Sequence, residues 1–346
     1  MKGGLCSPFF NNLKGETMDN YYNHYLDPEY FFKKEAQKKE IKQLGLYTGF
    51  ALICQVVLQN LLSLGLSFLG LGEKYLSDGI FQNAVDTVIV VLTMLVPFYF
   101  VSKKMKVVSS TNEPVPLSKP TDGITFILAV VAGIGFCMIA NIVTSYFTVF
   151  ISLFRVELSS PEIAMPSGTV GVTTSIIRIV IIAAIAEEIP LRGYVMGNLR
   201  KYGDKFAILA SALVFALMHG NLIQAPFALI AGFALGYFSI KTGTIWTGIA
   251  IHAANNFIST AITYAMDYLP EETVNIIYVF ILYGFIFFGL IAMWLLKSRT
   301  AHIKLVIDNL GMGTAEKMKA FILNPAMIIA LGYMLYITMK FIGFNF

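Results

Sequence analysis

Long apolar runs alternate with short polar segments from residue 44 almost to the C-terminus. Since a membrane-spanning helix needs about 20 predominantly apolar residues, the pattern predicts about eight or nine spans. The last run is broken near its start by Asn324 and Pro325, which makes it the least regular. The runs are 44–69, 84–102, 123–154, 172–200, 205–220, 222–240, 244–265, 273–296 and 321–343. We expect an all-α transmembrane bundle over 44–346, preceded by a polar, solvated and partly helical N-terminal segment over 1–43.

Composition supports this picture and excludes other classes of protein. Apolar residues make up 56% of the chain and charged residues only 13%, whereas soluble domains carry about 25% charged residues. Such a chain has too little charge to cover a surface that faces water. The net charge of +4 comes from scattered Lys and Arg rather than from one basic face, which disfavours nucleic-acid binding. The sequence therefore predicts a multi-pass membrane protein whose partner is the lipid bilayer.

The distribution of basic residues predicts the orientation. Lys and Arg collect in cytoplasmic loops of membrane proteins. With a cytoplasmic N-terminus, 20 of the 25 basic residues fall in the N-terminal segment or in predicted cytoplasmic loops, including Lys119. We therefore expect a protein of the cell membrane with its N-terminus in the cytoplasm.

Few ionisable or amide side chains remain at membrane depth, where one charge costs about 3 kcal/mol on insertion scales. They lie on three predicted spans: Glu187, Glu188 and Arg192 on the fourth, His219 on the fifth, and His252 with Asn256 on the seventh. Counting the helical rise from the predicted loops brings these groups to similar depths. Arg178, near the outer end of the fourth span, is expected instead to extend toward the membrane surface.

Helical spacing separates the roles of these residues. Glu188 and Arg192 are four residues apart in the favourable order, so we expect an ion pair. Glu187 points about 100° away and stays free to face the bundle interior. A carboxylate and a histidine such as His219 that share a water molecule can activate it for attack. A second histidine and an amide, His252 and Asn256, are able to stabilise an oxyanion.

The residues also match a known pattern. Glu187 to Arg192 reads EExxxR, Phe215 to His219 reads FxxxH, and His252 to Asn256 reads HxxxN. In this order the motifs resemble those of the CPBP family, which contains type II CAAX prenyl endopeptidases and bacteriocin-processing enzymes. The resemblance covers about 172–260, which we take as the protease core. Pro190 and Leu191 depart from the usual pattern, since family members often have Phe where Leu191 stands.

The resemblance implies an intramembrane glutamate-dependent protease that uses no cofactor. It assigns water activation to Glu187 and His219, and oxyanion stabilisation to His252 and Asn256. Glu188 and Arg192 then support the site, and Phe215 packs against the imidazole of His219. The implied substrate is a membrane-associated protein or peptide: a prenylated CAAX protein, a bacteriocin leader or another membrane protein.

Two alternatives remain open from the sequence. Glu and His side chains can also ligate zinc, although the chain has no HExxH motif. The same helices can form a non-catalytic immunity, scaffold or transport-assisting protein. The oligomeric state is not predicted.

Overall fold

The computed structural model describes residues 28–109, 122–308 and 310–344. Each of the nine apolar runs folds mainly as helix, which confirms the expected all-α architecture. In chain order the helices are α1 (Pro28–Phe68), α2 (Gly72–Ser77), α3 (Gly79–Ser109), α4 (Gly123–Ser152), α5 (Gly168–Tyr202), α6 (Asp204–Met218), α7 (Ala225–Thr242), α8 (Ile245–Ala265), α9 (Glu271–Arg299), α10 (Thr314–Ile322) and α11 (Pro325–Met339).

The first helix begins earlier than the sequence predicts. It starts at Pro28 and crosses the expected boundary at residue 44 without a break. Tyr30 and Ile41 are buried between the lysines of this segment, and the Tyr30 hydroxyl donates to the carbonyl of Leu310 at 2.8 Å. The segment 28–43 is thus helical and packs against α10 on one side, while most of its side chains stay exposed. Residues 1–27 and Lys119 lie outside the described residues.

The number of spans stays a prediction. Within the described residues, six helices are long and apolar enough to cross a membrane: α1, α3, α4, α5, α7 and α9. Helices α10 and α11 pass that test only as one span, bent by 83° at the break that Asn324 and Pro325 predict. The predicted spans 205–220 and 244–265 do not pass. Helix α6 has 15 residues, hence is about 22 Å long, whereas α8 is long enough but carries polar side chains such as His252 and Asn256.

Glycines allow the helices to approach closely, as is common between membrane helices. At Gly135 on α4, a Cβ atom would lie 2.8 Å from the carbonyl oxygen of Phe285 and 3.0 Å from the Cα atom of Gly289, both on α9. At Gly49 on α1, a Cβ atom would clash with the backbone nitrogen of Met327 on α11. Backbone therefore packs against backbone at both contacts.

A small antiparallel sheet, which the sequence does not predict, forms between the segment after α4 and the segment after α11. Strand β1 (Val156–Leu158) follows α4, and β2 (Ile342–Phe344) follows α11. Val156 pairs with Phe344, and Leu158 with Ile342. The predicted third and ninth spans thus end earlier than expected, because their last residues turn or pair as strands.

Helix α5 is the central element for the candidate site. It contacts α3, α6, α7 and α8, so its middle is surrounded by protein. Helices α7 and α8 form a tight hairpin, with Gly243 in the left-handed region at a φ of 72° and the Thr244 hydroxyl capping α8. The hydroxyls of Thr242 and Thr247 lie 2.7 Å apart across this hairpin. Its geometry places one face of α8 beside the acidic residues of α5.

Candidate active site

The glutamate pair lies in a short α-helical stretch between two π-helical stretches of α5. Residues Ile176–Ile182 and Ile189–Met196 are π-helical, whereas Ala183–Glu188 are α-helical. Pro190 lies in the first turn of the second π-helical stretch. Because proline has no N–H to donate, it favours an opened helix at this point. Such π-turns occur frequently at functional sites.

Glu188 and Arg192 form a completely buried ion pair. The Nη1 atom of Arg192 donates to Oε1 of Glu188 at 2.7 Å, and neither side chain is exposed to solvent. The Nη2 atom donates to the carbonyl of Gly232 on α7 at 3.1 Å. The predicted pair is therefore confirmed, and it also ties α5 to α7. The role of Gly232 as acceptor has no signal in the sequence.

His252 lies between the two glutamates. Its Nδ1 atom is 3.1 Å from Oε1 of Glu188, and its Nε2 atom is 3.9 Å from Oε2 of Glu187. The Glu187 side chain is 23% exposed, whereas that of Glu188 is buried. The two neighbouring carboxylates thus point in different directions, as helical spacing predicts, yet one imidazole reaches both. Of the two, Glu187 alone is accessible to a water molecule or a substrate.

The ring of Phe215 connects the second motif with the other two. It meets the His219 imidazole edge-on, with centroids 4.9 Å apart, and the His252 imidazole at 5.6 Å. The guanidinium carbon of Arg192 lies 4.6 Å above the same ring. The expected packing of Phe215 against His219 is confirmed. Among the described residues, no direct hydrogen bond joins Glu187 to His219, and the expected sharing of a water molecule between them stays a prediction.

A buried turn after α6 fixes His219. The Nδ1 atom of His219 lies 2.8 Å from the carbonyl of Phe215, and the Nδ2 atom of Asn221 donates to the His219 carbonyl at 2.9 Å. Gly220 adopts a φ of 62°, which allows the chain to turn directly after the histidine. The sequence reasoning missed Asn221, although the Gly-Asn pair next to the FxxxH motif is a turn signal.

Asn256 contacts α5 rather than the glutamates. Its Nδ2 atom donates to the carbonyl of Ile179 at 2.9 Å. Ile179 belongs to the first π-helical stretch, where the backbone pattern departs from that of a regular helix. Asn256 and His252 thus share one face of α8, as their spacing predicts, and both face α5.

Arg178 is not free to extend toward the membrane surface. Its Nη2 atom lies 2.9 Å from Oδ2 of Asp86, and its Nη1 atom donates to Oδ1 of Asn83 at 2.7 Å. The side chains of Arg178 and Asp86 are only 16% and 14% exposed. The expectation from the sequence was wrong because the partner lies on α3, far away in the chain. This cluster fixes the start of α5 against α3.

No group of three or more His, Cys, Asp or Glu side chains in the described part of the chain has an arrangement that could hold a metal ion. The site therefore consists of two carboxylates, two imidazoles, one guanidinium and one amide, gathered from α5, α8 and the end of α6 around a phenyl ring. These groups supply both proton acceptors and hydrogen-bond donors.

Comparison with known families bears on this region. Residues 169–258 match the family model described as type II CAAX prenyl endopeptidase Rce1-like. The matched range contains all three motifs, and it confirms the family resemblance that the sequence predicts. No curated protein and no solved structure matches the chain.

Proposed function

Because residues 169–258 match the Rce1-like type II CAAX prenyl endopeptidases, we propose that the protein is an intramembrane endopeptidase. It hydrolyses peptide bonds of membrane-associated proteins or peptides. The observation that carries this proposal is the unequal exposure of the neighbouring glutamates around His252. Glu187 is accessible and forms no ion pair with a Lys or Arg among the described residues, whereas Glu188 is buried and paired with Arg192.

Water activation falls to Glu187 and His219. A backbone carbonyl only accepts hydrogen bonds, so the contact between Nδ1 of His219 and the Phe215 carbonyl favours the proton on Nδ1. In the neutral imidazole, Nε2 is then an acceptor, as a general base requires. A water molecule held between Nε2 of His219 and the Glu187 carboxylate is activated by both.

Stabilisation of the oxyanion falls to His252 and Asn256. The Glu188 carboxylate accepts from Nδ1 of His252, which leaves Nε2 directed toward Glu187 and the reacting centre. A side-chain amide has two N–H donors, and the contact with Ile179 uses one of those of Asn256. The second N–H, together with a protonated Nε2, is available to an oxyanion.

The steps balance without another reactant. Water attacks the peptide carbonyl carbon and transfers a proton to the base, while the carbonyl oxygen takes the negative charge. The tetrahedral intermediate collapses, the C–N bond breaks, and the same proton passes to the leaving amine. Glu188 and Arg192 undergo no bond changes and hold His252 in place.

Placement in the cell membrane with a cytoplasmic N-terminus belongs to the same proposal, since 20 of 25 basic residues favour it.

Two substitutions test the function. We expect Glu187→Gln and His219→Ala to insert normally but to lose cleavage of a quenched farnesylated CAAX peptide in proteoliposomes. The exposed Glu271→Gln, at the start of α9, is the matched control and should retain activity. A proteomic comparison of membranes that contain wild-type or Glu187→Gln protein extends the test to substrates of other sequence.

Three outcomes contradict the proposal. Undiminished cleavage by either purified variant refutes the assigned roles. Activity that chelators abolish and zinc restores, together with stoichiometric bound zinc, supports a metalloprotease. If neither the peptide nor any membrane protein is cleaved, and the four-alanine variant at 187, 219, 252 and 256 preserves the cellular phenotype, the protein has a non-catalytic function.

A further inference from the structure

One oxygen of the buried Glu188 carboxylate has no hydrogen-bond partner among the described residues. Oε1 receives both the Arg192 guanidinium and the Nδ1 atom of His252. Oε2 is completely buried, and no hydrogen bond reaches it from any residue that the structure describes. An unsatisfied buried acceptor costs about 1–3 kcal/mol, more when it is charged. A donor for Oε2 is therefore expected close by.

A candidate donor is the hydroxyl of Ser239 on α7. Ser239 is completely buried, and its Oγ atom also has no hydrogen-bond partner within the described chain. A Cβ atom placed on Gly248 would lie 2.8 Å from Oγ of Ser239 and 2.8 Å from Oε2 of Glu188. Both unpartnered oxygens thus border the same small space, which exists because residue 248 on α8 has no side chain.

We infer that Ser239 and Gly248 are positioning residues for Glu188: the Ser239 hydroxyl donates through one water molecule to Oε2 of Glu188 in the space beside Gly248. The carboxylate is then held at both oxygens. With Oε2 fixed by Ser239, Oε1 is kept on His252 and Arg192, and the imidazole keeps its orientation toward Glu187. This inference rests on the proposed function for its effect on catalysis, but the contact itself does not.

Hydrogen bonding within α7 is the competing arrangement. Serine in a helix often donates to a carbonyl one turn earlier, and the Leu235 carbonyl lies 3.6 Å from the Gly248 Cβ position. Ser211 on α6 provides a comparison, since it is equally buried and its hydroxyl donates to the Ile208 carbonyl of its own helix at 3.1 Å. A serine with only that role tolerates alanine without effect on the site.

Ser239→Ala and Ser211→Ala therefore form a matched pair of variants. We expect Ser239→Ala to lower kcat for the farnesylated peptide about tenfold with little change in KM, which corresponds to one lost hydrogen bond to a charged group. Ser211→Ala should retain wild-type kcat, and Ser239→Thr, which keeps the hydroxyl, should restore most of the lost rate. In a Glu188→Gln background, Ser239→Ala should cause no further loss, because its effect acts through Glu188.

Gly248→Ala tests the space itself. The new methyl group would lie closer to both oxygens than non-bonded contact allows, so we expect kcat to fall more than in Ser239→Ala. Gly284→Ala on α9 is the control, since no atom of the described structure beyond its chain neighbours and its own helix backbone lies within 4 Å of its Cβ position. It should retain wild-type kcat.

Infrared spectroscopy separates this inference from the proposed function. The carboxylate band of Glu188, identified as the band that Glu188→Gln removes, should shift in Ser239→Ala but not in Ser211→Ala. This shift is expected whether or not the peptide is cleaved. If the band is unchanged, or if Ser239→Ala and Ser211→Ala have equal kcat in an active enzyme, Ser239 serves only its own helix and the inference is wrong. If the wild-type protein cleaves neither the peptide nor any membrane protein while the band still shifts, only the proposed function fails.

Discussion

Replacement of Arg192 by methionine leaves Glu188 as a buried charge without its strongest partner. The pair is completely inaccessible to solvent and its atoms are 2.7 Å apart, so water cannot replace the guanidinium. Removing one member of a buried ion pair costs about 3–5 kcal/mol. The Gly232 carbonyl loses its donor in the same variant, and the Phe215 ring loses its cation. We expect Arg192→Met to lower the free energy of unfolding by about 3–5 kcal/mol.

Reversible unfolding of the purified protein in mixed detergent micelles, followed by helicity, measures this loss. Arg299→Met is the control, because the pair between Arg299 and Asp122 is exposed and its atoms are 3.3 Å apart. Exposed pairs contribute only about 0–1 kcal/mol, so that variant should unfold almost as the wild type does. Arg192→Lys keeps the charge but has no fork to reach both Glu188 and Gly232, so we expect an intermediate loss.

The double variant Glu188→Gln with Arg192→Met decides whether the unpaired charge is the cause. It removes both charges, so it should recover at least half of the free energy of unfolding that is lost in Arg192→Met. We expect no proteolysis from this double variant, because His252 loses the carboxylate that holds it. If Arg192→Met unfolds within about 1 kcal/mol of the wild type, the ion pair contributes no more than a surface pair. If the double variant is as unstable as the single one, lost packing rather than charge explains the effect. Either result refutes the reasoning.

Two further predictions concern regions outside the site. Gly49→Ala should lower the melting temperature clearly more than Gly65→Ala on the same helix, because only the Cβ atom at Gly49 meets the backbone of α11. Thermal unfolding of the two variants checks this, and equal melting temperatures contradict it. The pKa of Asp122 is held below its ordinary value by the hydroxyl of Thr125, the backbone N–H of Ile124 and further contacts. Its stabilising contribution is therefore complete above the ordinary aspartate pKa and is lost as the pH falls through the lower folded value. Stability measured from pH 7 downward should fall less steeply for Asp122→Asn than for the wild type, and parallel curves refute this.

Contacts within one helix were predictable from spacing, whereas contacts between helices were not. The four-residue interval between Glu188 and Arg192 is enough to identify their pair from the sequence alone. Spacing carries no information about which imidazole reaches Glu188, and it is His252 from α8 that does so. The partner of Arg178 was missed for the same reason, because Asp86 lies on α3.

Burial within polar segments was equally hidden. The lysines of α1 dominate the sequence pattern before residue 44, although Tyr30 and Ile41 between them pack inside the protein. Ser239 and Gly248 give no pattern at all, since a serine and a glycine in apolar helices usually reflect close packing. Their relation to Glu188 appears only when α7 and α8 lie side by side.

The predicted spans 205–220 and 244–265 are too short or too polar to cross a membrane by themselves. Their helices, α6 and α8, present the two histidines of the candidate site. Helix α6 ends at Met218, so His219 begins a turn rather than continuing the helix. Such a turn is tolerated at membrane depth only when its backbone groups are satisfied by protein or line a polar cavity. Asn221, buried and bonded to the His219 carbonyl and the Gln224 backbone, provides that satisfaction. Helix α6 is thus too short to be counted because the chain turns at His219, and α8 is too polar because it carries His252 and Asn256. A count of long apolar helices therefore misses both helices of the candidate site.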